Sequence, residues 1–264
     1  MAIFLSIIMP AYNEEKNLKN GVLEEVWDYL KTQKYSWEVL IVDDGSTDAT
    51  IKLSEKFLKE HSSLPAGRQG FKLLKEKHRG KGGTIIAGML QAKGDYALFM
   101  DMDQATPISE VEKFLPKFST KGGSASGRKQ GYDVVIASRS GRQGAPIVRK
   151  LMAYGFMFLR SLILRLPYKD TQCGFKAFKK DSVKEIFKRL KIFNESNIVS
   201  GASVSAGFDL EILYIARKLG LKIAEVNVNW YHKDTERINP IKDSLEGLRD
   251  LLRVRINAIL GKYK

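Results

Sequence analysis

The sequence predicts an α/β fold with a mostly parallel central sheet flanked by helices, and three observations predict it. Short apolar runs alternate with amphipathic stretches along the first hundred residues, the pattern of strand–helix units that build parallel sheets. Three of those runs end in acidic or polar clusters: Pro10-Ala11-Tyr12-Asn13-Glu14, Asp43-Asp44 and Asp101-Met102-Asp103. Parallel strands bring such ends to one edge, where open α/β sheets bind ligands. The 264 residues, 44% hydrophobic, suffice for one substantial core. The expected organisation is one domain over 1–235 with a C-terminal amphipathic helical extension over 236–264.

The first strand is expected at about 3–9, an apolar run closed by Pro10. A helix follows over about 14–31, because Leu18, Val22, Val26 and Leu30 recur every four residues and Asn13 precedes the acids Glu14 and Glu15. Trp37 to Val42 give a buried strand over about 37–43, after which Ser46 or Thr47 is placed to cap a helix over about 47–61. Strands are expected near 71–74, 95–100, 133–138 and 223–230, with a helix at about 84–92 whose glycine-rich approach can face an anion. That approach, Gly80-Lys81-Gly82-Gly83-Thr84, is not a P-loop, since two glycines separate its lysine from its threonine. Three look-alike segments, 67–70, 127–131 and 141–144, combine glycine with Arg68, Arg128 or Arg142 and read as solvated loops, the third bordering Arg139.

With 44 Lys and Arg against 30 Asp and Glu, the chain carries +14, which calls for an anionic partner. Three acidic strand exits would repel a phosphate backbone, so nucleic acid is not expected. The first ten residues lack a basic leader. Arg149, Lys150, Arg160 and Arg165 interrupt the most apolar region before it reaches the ~18 residues of a membrane span. A single cysteine, Cys173, permits no internal disulfide and suits a reducing compartment. His61, His78 and His232 have no metal-triad spacing. These features predict a cytoplasmic protein, not secreted, that is peripheral on the cytoplasmic face of a membrane.

Asp101 and Asp103 stand two apart at a strand exit, where both can converge on one hard divalent cation that also engages a diphosphate. A carboxylate at a neighbouring exit can accept from N3–H of uracil or N1–H of guanine, and Tyr12 can pack on the ring. The cleft therefore reads as a nucleoside-diphosphate site.

Met9-Pro10-Ala11-Tyr12-Asn13-Glu14-Glu15, Val42-Asp43-Asp44-Gly45-Ser46-Thr47-Asp48 and Asp101-Met102-Asp103 together resemble the signature of the family-two inverting glycosyltransferases. Within that family, Gly80-Lys81-Gly82-Gly83, Ala105-Thr106-Pro107-Ile108, Asp170-Thr171-Gln172-Cys173-Gly174-Phe175-Lys176 and Phe208-Asp209-Leu210-Glu211 resemble the dolichyl-phosphate β-glucosyltransferases. The resemblance implies a Rossmann-like A-type glycosyltransferase fold, Mg²⁺ or Mn²⁺, a nucleotide sugar such as UDP-glucose, and transfer of glucose to a polyprenyl or dolichyl phosphate with inversion. It places Asp44 on the base, Asp101 on the ribose or diphosphate, Asp103 on the metal and Lys81 near the nucleotide.

The expected site is then as follows. Asp101, Asp103 and Arg139 are catalytic, with the two aspartates as metal ligands. Pro10, Tyr12, Glu14, Asp43, Asp44 and Lys81 line the nucleotide, while Gln172, Asp209 and Glu211 meet the donor sugar. Arg139, Arg149 and Lys150 hold the acceptor phosphate. Two departures stand out. The extra glutamine ligand of related mannosyl-phosphate synthases is Ala105 here, and Gln104, which replaces a small residue of the glucosyl subgroup, is expected to point elsewhere.

From 138 to 168 the chain has six Arg or Lys and no acid, interleaved with Leu151, Phe156, Phe158, Leu159 and Leu162. That composition predicts an interfacial helix on an anionic membrane surface. A second stripe, Ile241, Leu245, Leu248, Leu252, Ile256 and Ile259, is matched equally by packing on the catalytic domain, by a second protomer or by a membrane. A polyprenyl phosphate is already an anionic nucleophile, whereas a sugar hydroxyl needs a general base. The alternatives are a GDP-mannose enzyme of the same mechanism, a polysaccharide-building transferase with Asp209 or Glu211 as base, and, remotely, a nucleic-acid-binding protein.

Overall fold

The computed structural model describes residues 3–61, 70–119, 131–139, 147–192, 206–233 and 240–264, with backbone only for 147–154, 206 and 240–244. Most of the three glycine-basic segments, Arg68, Arg128 and Arg142 included, lies outside the described residues, as do the side chains of Arg149, Lys150, Leu151 and Ile241.

The chain runs β1 (Leu5–Ala11), α1 (Glu15–Lys19), α2 (Val22–Leu30), β2 (Trp37–Asp43), α3 (Thr50–Glu60), β3 (Gly70–Lys75), α4 (Gly80–Gln91) and β4 (Tyr96–Met100). A 3₁₀ helix (Ile108–Lys113) and α5 (Leu115–Phe118) lead to β5 (Val134–Arg139) and α6 (Ile147–Leu164). The rest is β6 (Phe175–Lys179), α7 (Lys180–Phe187), α8 (Ala206–Lys218), β7 (Ile223–Val228) and α9 (Pro240–Ile259). The seven strands are ordered β3-β2-β1-β4-β6-β5-β7. β6 runs antiparallel to β4 and β5, and the other pairings are parallel. The carboxyl ends of β1, β2, β4 and β5 therefore share one edge, and the amino end of β6 joins them there.

Strand alternation sends Ile7, Met9, Leu98 and Met100 into one core with α2 and the 3₁₀ helix. Ile8, Val42, Ala97 and Phe99 enter a second core with α4, α7, α8 and α9, as a period of two requires when both faces are covered. Gly88 lets α4 lie hard on the sheet: a Cβ there would come within 2.5 Å of Ile8 Cγ2. That close approach fixes the height of Lys81 at the start of α4.

Several local expectations are corrected. The single helix over 14–31 is two helices, broken at Gly21, whose φ of 81° is left-handed. Neither Ser46 nor Thr47 caps α3; it begins at Thr50, whose N–H donates to Asp48 Oδ1 at 2.9 Å. Ser46 Oγ instead accepts from Asn13 N at 3.0 Å, tying the exits of β1 and β2. The helix expected from about 84 starts at Gly80, so the glycine-rich segment is its first turn rather than a loop before it.

The C-terminal segment is not appended to a finished domain. Leu251, Val254 and Tyr263 are buried in the second core, and α9 packs on α8 and α6. Gly207 permits that crossing, since a Cβ there would meet Asp250 Cβ at 2.4 Å. Of the anticipated stripe, Leu248 is half-buried, while Leu245, Leu252, Ile256 and Ile259 face outward. Among the described residues no helix is long and apolar enough to cross a membrane.

Candidate active site

The exit of β2 is a tight hydrogen-bonded turn. Asp43 Oδ2 accepts from Gly45 N at 3.0 Å and Ser46 N at 3.1 Å, while its buried Oδ1 has no hydrogen-bond partner among the described residues. Asp44 is engaged at both oxygens: Oδ1 accepts from Arg79 N at 2.7 Å, and Oδ2 lies 2.8 Å from His78 Nδ1. His78 in turn stacks on Tyr12, ring centroids 4.2 Å apart. Asp44 thereby pins the β3–α4 loop to the exit of β2, each of its oxygens holding one of the two donors it can accept. Pro10 is buried within β1 opposite Val42. Glu14 turns to its own helix, accepting from Asn17 Nδ2 at 2.5 Å.

At the exit of β4, Lys81 Nζ pairs with Asp101 Oδ1. Asp103 Oδ1 accepts from Ala105 N at 2.9 Å, which closes an Asx turn. Burial pushes the Asp103 carboxyl above its usual range and Asp101 adds to the effect, with Lys81 and Lys233 pulling the other way. Burial of its stem opposes the Lys81 charge, yet Asp101, Asp209 and Asp103 together hold the ammonium above the ordinary lysine range. Asp101 is seated against bare backbone at Gly174, where a Cβ would fall 2.3 Å from Asp101 Oδ2. As expected, Gln104 points away: its amide donates to Val22 O and Glu25 Oε2, both at 3.2 Å.

Asp209 and Glu211, two apart on α8, face different surroundings. Asp209 Oδ1 accepts from Lys176 Nζ at 2.6 Å, and that fully buried ammonium also donates to Cys173 O at 2.6 Å. Burial pushes the Asp209 carboxyl up, opposed first by Lys176 and then by Lys81. Glu211 is fully buried on the other side of the helix. Its Oε1 accepts from Lys191 N at 2.8 Å, Ile192 N at 3.0 Å and the Tyr263 hydroxyl at 2.7 Å. The expected donor-sugar role of Glu211 is corrected, since its carboxylate staples the turn after α7 to the carboxyl terminus.

Arg139, at the exit of β5, forms a bidentate pair with Asp170, Nε to Oδ2 at 2.6 Å and Nη2 to Oδ1 at 3.0 Å, and lies 5.7 Å from the Trp230 ring centroid. Burial works against both charges, but each holds the other: Asp170 is drawn below and Arg139 raised above its usual range. Asp170 Oδ1 also accepts from the backbone N–H of Gln172, whose side chain is exposed at the edge. Through Nε and Nη2 Arg139 braces the 170–174 loop. Arg160 leaves the expected interfacial set: it is buried and donates to Thr171 Oγ1 at 2.8 Å and to Tyr168 O.

This edge thus joins two carboxylates at the exit of β4, a partly exposed lysine beside them and, across β1, the acids Asp43 and Asp44 at the exit of β2. The Glycosyl transferase family 2 profile matches residues 6–187, which span those exits. The chain belongs to glycosyl transferase family 2. A dolichyl-phosphate beta-glucosyltransferase of Dictyostelium discoideum is 35% identical over 278 residues, covering 99% of this chain and 77% of the relative. Mannosyl-3-phosphoglycerate synthase from Rubrobacter xylanophilus superposes with a TM-score of 0.64 at 17% identity, over 98% of this chain and 75% of that one. Glucosyl-3-phosphoglycerate synthase from Mycobacterium tuberculosis, crystallised with Mn²⁺, UDP and its product, superposes with a TM-score of 0.54 at 19% identity, over 96% and 80% of the two chains. These neighbours share the A-type glycosyltransferase fold.

In this family-2 glycosyltransferase the site contains residues that sequence reasoning passed over. His78 was set aside for lacking metal spacing, although its place after β3, level with the exit of β2, was the available signal. Asp170, Gly174 and Lys176 belong to the Asp170–Lys176 motif, in which only Gln172 carries an expected role. Lys176 sits in a strand whose neighbours are apolar, and a lysine there signals a buried partner. Lys233, exposed near Asp103, had no signal beyond its charge.

Proposed function

We propose that this glycosyltransferase moves glucose from UDP-glucose to a polyprenyl or dolichyl phosphate with inversion, working on the cytoplasmic face of an anionic membrane. Its 35% identity to a dolichyl-phosphate beta-glucosyltransferase over nearly the whole chain supports the acceptor and the sugar. The observation that carries the choice of acceptor is the fate of the two carboxylates a saccharide hydroxyl would need as base. Glu211 is stapled on the far side of α8, and Asp209 is tied to Lys176. A phosphate acceptor is anionic already and needs neither.

Asp101 and Asp103 fit a hard divalent cation, Mg²⁺ or Mn²⁺. They are oxygen donors at one exit, and Gly174 reserves the space against Asp101 that a side chain would fill. Among the described residues no cluster of three or more His, Cys, Asp or Glu could hold a metal alone, which suits a cation that takes further ligands from a diphosphate and water. When bound, that cation offsets charge on the departing nucleoside diphosphate.

The chain's own residues do the remaining work. Asp44, oriented by His78 and Arg79, meets the base, and Tyr12, held flat by His78, packs beside it. Lys81 exchanges Asp101 for the diphosphate and steadies the leaving group. Asp209, oriented by Lys176, and Gln172 hold the sugar hydroxyls. Lys233, with Arg149 and Lys150, draws the acceptor phosphate toward the anomeric carbon, and in-line alignment supplies most of the rate.

Transfer of labelled sugar from UDP-glucose, with GDP-mannose in parallel, to a short polyprenyl phosphate tests the proposal. Glucolipid formed with Mn²⁺ or Mg²⁺ and lost in Asp103→Ala is the expected result. Product from GDP-mannose alone overturns the donor, and transfer only to a saccharide hydroxyl overturns the acceptor.

A further inference from the structure

We infer that the face built from α6, α8 and α9 docks on the membrane, with Arg165, Arg217, Lys218 and Arg255 forming a pocket for the phosphate of an anionic phospholipid. The inference rests on the lipid-acceptor reading above and names where the bilayer is met.

α9 is apolar on two sides. Leu251 and Val254 are fully buried in the core, whereas Leu252, Ile256 and Ile259 remain 47%, 54% and 70% exposed. On the adjoining α6, Phe158 and Leu162 are both 67% exposed. An ordinary surface helix turns its apolar stripe inward, and paired outward stripes on neighbouring helices mark an interaction surface.

Where α6 ends, a groove of about 420 Å³ opens between the three helices, lined by Leu164, Arg165, Tyr214, Arg217, Lys218 and Arg255. None of its four cations forms an ion pair among the described residues. The arrangement is that of an interfacial element, with hydrocarbon-seeking side chains beside cations at headgroup height. A second copy of the chain fits less well, because a twofold interface sets a patch against itself. Arg249 and Arg255 would then meet a face that carries the same cations, at a cost in like-charge repulsion, whereas Arg253 has Asp250 beside it.

The test is co-sedimentation of the full chain with phosphatidylcholine vesicles, with and without phosphatidylglycerol. Binding is expected to the anionic vesicles only. Arg217→Gln with Arg255→Gln should weaken it roughly 25-fold, about fivefold for each near-surface cation. Leu252→Asp with Ile256→Asp should abolish it. UDP binding and transfer to a detergent-dissolved short polyprenyl phosphate should be unchanged in both double variants, which also reports that they fold. Equal binding to both vesicle types, or wild-type binding by the Arg217→Gln/Arg255→Gln variant, overturns the inference. So does a solution dimer that Leu252→Asp dissociates, or binding of inorganic phosphate or duplex DNA without vesicle binding. Loss of transfer by the wild type with the vesicle pattern intact instead counts against the lipid-acceptor proposal alone.

Discussion

At the catalytic edge Lys81 pairs with Asp101, Lys176 with Asp209 and Arg139 with Asp170. On the α6–α9 face Arg165, Arg217, Lys218 and Arg255 meet no carboxylate among the described residues. The same residue types therefore do opposite work. Inside the edge, mutual pairing makes burial tolerable and fixes geometry, since an uncompensated buried charge is costly. Outside, the absence of pairing leaves cations available to a partner, so the net +14 describes the second region far better than the first.

The sharpest way to break this comparison is Asp103→Ala. It removes a group with no role in folding beyond one Asx turn, and transfer should fall about a thousandfold with the melting temperature nearly unchanged; radiolabelled glycolipid formation and a thermal melt measure the two. Gly174→Ala comes next. The added methyl displaces Asp101, and a displacement of about 1 Å should cost on the order of a hundredfold in kcat/KM, read by steady-state kinetics with varied UDP-glucose.

Glu211→Ala separates the site from its scaffold. It leaves Lys191 N, Ile192 N and the Tyr263 hydroxyl without their acceptor, and should lower stability by about 3 kcal/mol in urea denaturation. The kcat/KM of the folded fraction should stay within about twofold. The smallest effect concerns Cys173, whose thiol burial, chiefly, raises from 9.0 to about 11. The folded chain holds this proton more tightly than the unfolded one, so that stabilisation is complete below pH 9 and is lost as pH rises toward 11. Urea midpoints measured across that window should fall, and Cys173→Ala should flatten the slope.

Legibility in the sequence followed how local each cause was. The strand exits were readable because an apolar run and the residue that ends it are adjacent in the chain, and their shared edge follows from parallel topology. The break at Gly21 and the helical start at Gly80 were not, since helical spacing of apolar residues continues through the first and glycine composition argues against the second. β6 is not legible as a strand, although its first residues belong to the Asp170–Lys176 motif. Its reversed direction is a property of its neighbours, and it is what brings Gly174 and Lys176 to the site.

The amino-acid sequence by itself determined the α/β class, the three acidic exits and the pair Asp101 and Asp103, because periodicity and motif spacing are written along the chain. Only the tertiary structure decided what satisfies each carboxylate. Asp44 is held by His78 and Arg79, Asp209 by Lys176, and Glu211 by Lys191, Ile192 and Tyr263, partners 19 to 52 residues away. A carboxylate's role depends on what satisfies it, and in a buried site those partners arrive through folding rather than through sequence proximity.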